Sequence, residues 1–111
     1  MPEETPLLDT LAGMTAVSIA QCELAPRELM LARIAALAAV DAPPASYLAN
    51  AGTASDVGIT LEDVQGVLIA VAPLIGTARA VSAAGNIARA LGFAIAAVEA
   101  ELEAEAAADT E

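Results

Sequence analysis

The sequence predicts an all-α, single-domain protein of about five to six helices that ends in one long C-terminal helix. Three observations carry this prediction. Alanine, which forms helices with no side-chain entropy loss, fills about a quarter of the 111 positions. Apolar residues recur at helical spacing over most of the chain. No stretch carries a strand pattern, and no internal repeat is evident.

Thr5-Pro6 reads as an N-cap followed by proline at the first helical position. The helix it opens extends to about Gln21, with Leu7, Leu11 and Met14 on one side. Gly13 and the β-branched Thr15, Val17 and Ile19 weaken it. Pro26 starts a second helix in which Met30, Ile34 and Leu37 repeat, and Asp41-Ala42-Pro43-Pro44 breaks it. A short third helix follows from Pro43 or Pro44 to about Ala54, carrying Tyr47 and Asn50, and Gly58 closes that region. Thr60-Leu61-Glu62-Asp63 then opens a fourth helix. The threonine hydroxyl can accept from an unpaired N–H there, and the two acids meet the positive end of the helix dipole. Val64 to Ile75 is apolar nearly all round, which predicts the central and most buried helix, ended or kinked by Pro73 and Gly76.

The last helix runs from about Thr77 past Leu102. Val81, Ala84, Ala88, Leu91, Ile95, Val98 and Leu102 follow one another at steps of 3, 4, 3, 4, 3 and 4. That stripe suits packing of one helix against a bundle, or a coiled coil. Glu99 and Glu103, like Glu101 and Glu105, stand four apart and repel, so the acidic end is expected to fray. The domain is read as 1–108, with 109–111 as the frayed end.

Composition excludes several functions. The net charge is −11, four arginines are the basic groups, and aromatics make up 2%. Such a chain repels nucleic acid and anionic lipid and offers no stacking platform for bases. Mean hydropathy is +0.66. Even so, the longest uncharged apolar run, Val64 to Ala78, falls short of the ~20 residues that span a bilayer. The acidic start lacks the basic segment of a signal peptide, and the single Cys22 forms no internal disulfide, which together suit a reducing cytoplasm. Alanine-rich helices bury little area each, so apolar surface is expected to be covered by further copies of the chain.

The order PREL-x-x-LA, then NAGTASDVGITLEDV, then GVLIAVAPLIGTARAV over Pro26 to Leu91 resembles the carboxymuconolactone decarboxylase-like family, which includes the alkylhydroperoxidase D proteins. Ala54, Gly58, Thr60, Glu62, Asp63 and Gly76 fit its frame. The resemblance implies an alkylhydroperoxidase D-like helical bundle and a trimer or hexamer. It also locates the family's chemistry on the third helix, where Asn50 stands in place of the histidine and Pro43 and Ser46 in place of the two cysteines. Thiolate peroxidase chemistry needs two sulfurs and a base, and lactone decarboxylation needs a proton donor; these three residues supply none of them.

Tyr47, Asn50 and Arg33 are candidates to line a pocket, and Arg33 is alternatively a structural partner for Glu62, Asp63 or another acid across a subunit contact. Arg79, Ser82, Asn86 and Arg89 form a polar stripe whose two arginines are candidates to bind an anion, or a solvated face. Cys22 reads as a small buried hydrophobe. The acid pairs Glu3-Glu4 and Glu62-Asp63 read as terminal and helix-start acids. No catalytic residue, cofactor motif or metal site is expected. The leading expectation is a homo-oligomer without the family's catalysis that binds a small apolar or acidic molecule or serves a structural or regulatory role. The competing expectations are an active lyase or peroxidase of that family, and an accessory subunit of another protein.

Overall fold

A computed structural model describes residues 5–109, and every regular element in that range is helical. Five helices follow in order: α1 (Pro6–Gln21), α2 (Pro26–Ala39), α3 (Pro44–Asp56), α4 (Leu61–Ile75) and α5 (Thr77–Asp109). Each start follows from local chemistry. Proline occupies the first turn of α1, α2 and α3, where its missing N–H costs nothing. Glu28 accepts from the Ala25 backbone N–H (3.3 Å) at the head of α2. At α4 the capping box forms in full: Asp63 N–H donates to Thr60 Oγ1 (3.1 Å) and Thr60 N–H donates to Asp63 Oδ2 (2.9 Å).

The helix ends are equally specified. Beyond α3, Gly58 (φ +82°) donates to the Ser55 carbonyl and Ile59 to that of Ala54, a Schellman closure. The same pattern ends α2, with Asp41 and Ala42 donating to the Ala38 and Leu37 carbonyls, but here the left-handed position holds Asp41 (φ +55°) instead of glycine. α4 runs through Pro73 to Ile75, and Gly76 alone separates it from α5. Its backbone (φ +94°, ψ 157°) lies in a region that only glycine occupies readily.

Helices α2, α3, α4 and α5 pack together, whereas α1 has no buried residue and packs on none of them. The Arg33 side chain links α2 to α1 by donating to Ser18 Oγ (3.2 Å). The core comprises Met30, Ile34 and Ala38 of α2, Ala42, Tyr47 of α3, and Ala83 and Ala90 of α5. Four of these seven are alanine, a residue small enough to let helix backbones approach closely around Met30, Ile34 and Tyr47.

Two expectations about packing are overturned by that arrangement. α4 is not the most buried helix: none of its residues is buried, and Leu74 is 85% exposed, because α2 and α5 cover one side of it only. α2 takes the central place. Likewise, α5 does not turn its heptad stripe inward. The face toward the bundle carries Ala83, Ile87 and Ala90, and the stripe from Val81 to Leu102 is exposed throughout. The end of α5 stays helical through Asp109, and residues 110 and 111 lie outside the described range, as do Glu3 and Glu4. Over 77–108, α5 is long and apolar enough to cross a membrane by length and composition, which a count of uncharged runs did not register.

Candidate functional site

Helices α2 to α5 converge on a cavity of about 270 Å³. Ile34 and Leu37 enter from α2, Tyr47, Asn50 and Ala54 from α3, Val64 from α4, and Ile87, Ala90 and Leu91 from α5. No charged side chain lines it. Its size is near the lower end of small-molecule sites, which are mostly apolar with a few placed polar groups.

Two polar groups matter in this wall. Tyr47 is 8% exposed, and its hydroxyl is buried with no hydrogen-bond partner among the described residues. A buried hydroxyl in that state costs about 1–3 kcal/mol relative to a satisfied one. Burial, aided by the Asp41 carboxylate, pushes its ionisation above the ordinary tyrosine range, so it is a neutral donor at physiological pH. Asn50 lies one helical turn on. Its Nδ2 donates to the Ser46 carbonyl (2.9 Å), which fixes the amide and leaves Oδ1 as an acceptor. Tyr47 and Asn50 are both among the residues around the cavity.

Arg33 does not line it. It is half-buried, bonded to Ser18, and among the described residues of the chain makes no pair with Glu62 or Asp63. The partner of Asp63 is Arg27, whose Nη2 and Nη1 reach Oδ1 (2.8 Å) and Oδ2 (3.1 Å) while Nη1 also donates to the Gly58 carbonyl (3.2 Å). Arg27 stands beside the start of α4, which Arg33, nearly two turns further along α2, does not. The Arg27 guanidinium, with the Thr60 N–H and hydroxyl, holds the Asp63 carboxyl well below the usual carboxylate range.

The anion groove expected between Arg79 and Arg89 is also absent in that form. Arg79 Nη1 donates to the Ala39 carbonyl (3.0 Å) and so satisfies the negative end of α2. Arg89 Nη1 donates to Asn86 Oδ1 (3.0 Å), and Ser82 Oγ donates to Asp41 Oδ1. A carboxylate already sits in the stripe, and both arginines are engaged within the chain.

Cys22 is half-buried in the α1–α2 connection, not fully buried, and is absent from the cavity wall. Pro43 caps α3, and Ser46 belongs to its first turn. Among the described residues no cluster of acids, cysteine and histidine is arranged to hold a metal ion. Sequence reasoning missed Arg27 and Asp41. The first was legible as a cation near the start of α2, and the second as an acid where a helix end calls for glycine or asparagine. Comparison with protein-family models, with curated proteins and with solved structures returns no match.

Proposed function

We propose that this chain is a homo-oligomeric binding protein, not a catalyst, and that it takes a small, neutral, largely apolar molecule carrying one carbonyl or hydroxyl group. The observation that carries this reading is the cavity between α2, α3, α4 and α5, whose wall is largely aliphatic and holds no charged residue. Asn50 Oδ1 would accept a ligand hydroxyl, and the aliphatic wall would shed water. Acidic molecules fit less well, because no cation faces the cavity.

Catalysis of the carboxymuconolactone decarboxylase-like kind has no support in the wall chemistry. The positions that the resemblance assigns to its chemistry hold Pro43, Ser46 and Asn50, none of which titrates near neutral pH or supplies a thiolate. The resemblance is thus proposed for fold and ancestry, not for activity.

Fluorescence titration with N-phenyl-1-naphthylamine, an uncharged apolar probe, tests the binding reading. Saturable binding of one probe per chain, competed by small cyclic ketones, is expected; absence of saturable binding refutes it. In parallel, the chain should leave peroxide unconsumed in the presence of a thiol reductant. Consumption that Cys22→Ser abolishes would restore the enzymatic alternative.

A further inference from the structure

We propose that α5 pairs antiparallel with α5 of a second copy of this chain, through the heptad stripe that its own bundle leaves uncovered. This specifies an interface and an orientation, and it does not depend on the cavity being occupied.

The exposed surface supports a partner of this size. A compact chain of 11.0 kDa exposes about 5,600 Å², whereas this one exposes 7588 Å². The excess of about 2,000 Å² is more than twice the ~800 Å² that each partner contributes to a standard interface. Part of it belongs to α1, where Leu7 and Met14 are exposed, and part to the stripe, where Val98 is 54% and Leu102 is 58% exposed.

Two features select a second copy in antiparallel orientation. The first is charge. From Thr77 to Val98, α5 carries Arg79 and Arg89 and no acid; from Glu99 to Asp109 it carries Glu99, Glu101, Glu103, Glu105 and Asp109 and no base. A parallel pair would set acids on acids. An antiparallel pair separates the two acidic ends, sets each toward the acid-free half of the other copy, and opposes the helix dipoles.

The second feature is size. When the pair is centred between Leu91 and Ile95, Leu91 meets Ile95 of the second copy, Ala88 meets its Val98, and Ala84 meets its Leu102. The Ala84–Leu102 and Ala88–Val98 layers each combine a small with a larger residue, Leu91–Ile95 forms a large central layer, and Val81 lies at the edge beside Glu105 of the second copy. Parallel in-register pairing would stack alanine on alanine at one end, leaving voids that close packing disfavours.

A bilayer is the competing cover for an apolar helix of this length. Arg89 and Asn86 lie within the would-be span, and a central arginine costs about 2.5–3.5 kcal/mol to insert.

Sedimentation equilibrium of the wild-type chain and of Val98→Arg and Leu102→Arg tests the interface, since both residues are exposed in the single chain. The wild type is expected to form an even-numbered assembly, and both variants to lose at least tenfold in self-association with unchanged circular dichroism. A hexamer holds three such pairs; a trimer, or variants that assemble as the wild type does, overturns the proposal. Orientation is read by pulsed electron paramagnetic resonance on spin-labelled Glu103→Cys in a Cys22→Ser background. Antiparallel pairing separates the labels by about 30 Å along the axis, from twenty residues at 1.5 Å rise, and label distances under about 20 Å overturn it. Flotation of the wild type, but not Leu102→Arg, with phosphatidylcholine vesicles would assign the stripe to lipid and likewise overturn it.

Discussion

Replacing Gly76 with alanine isolates backbone strain from packing. A Cβ built at Gly76 meets nothing within 4 Å, so no clash contributes. The backbone at φ +94° and ψ 157° is the difficulty, and holding an L-residue there costs about 1–3 kcal/mol. Alanine also restricts the unfolded chain, which returns about 0.4–1 kcal/mol, so the net loss should be about 1–2 kcal/mol. Gly66 supplies the control. It lies inside α4, its Cβ position is equally open, and it has helical geometry, so Gly66→Ala should stabilise by about 0.5–1 kcal/mol. Urea denaturation followed at 222 nm, at one fixed protein concentration because assembly contributes to stability, measures both. The expected result is midpoints moved in opposite directions from the wild type. A Gly76→Ala midpoint at or above that of the wild type would refute the one-residue corner between α4 and α5.

Further predictions follow the same physics. Tyr47 is the single tyrosine and there is no tryptophan, so absorbance at 295 nm reports its ionisation directly. Its apparent pKa should lie above the ordinary value, and its contribution to stability should be complete below about pH 10 and lost as pH rises through the folded value. A titration midpoint at or below 10 contradicts its burial. Tyr47→Phe should leave stability unchanged or raise it by up to about 1 kcal/mol, because the hydroxyl it removes has no partner; a clear loss of stability would reveal a partner. Ile34→Ala should cost about 2–4 kcal/mol as a core truncation, read from the urea midpoint. Asp63 is depressed in the folded state, so its stabilisation is present above about pH 4 and lost as pH falls further. In Arg27→Met the acid limb of the stability profile should flatten, and an unchanged limb would contradict the Arg27–Asp63 pair.

Much of the fold is written in local residues. The prolines at 6, 26 and 44, the Thr60–Asp63 box, and Gly58 and Gly76 act within a turn of themselves, so helix boundaries were legible. Tyr47 and Asn50 were legible for the same reason, being three apart on one helix. Which face of each helix turns inward was not. In α5 the larger residues of the Val81–Leu102 stripe gave the cleanest periodicity, yet alanines a quarter-turn away face the bundle. Hydrophobicity scales weight large side chains, whereas close helix contacts select small ones. Arg33 and Arg27 illustrate a related limit. Both are on α2, and nothing local tells which of them the start of α4 reaches.

The central claim is that the cavity framed by Ile34, Tyr47, Asn50, Val64 and Ile87 is a binding site, and filling it tests that most directly. Ala54→Phe places a ring in the wall at a half-buried position of α3. Titration of N-phenyl-1-naphthylamine into this variant, with helicity and assembly verified as wild-type, should show affinity reduced at least tenfold. Wild-type affinity in a folded Ala54→Phe chain would place the probe elsewhere and contradict the account.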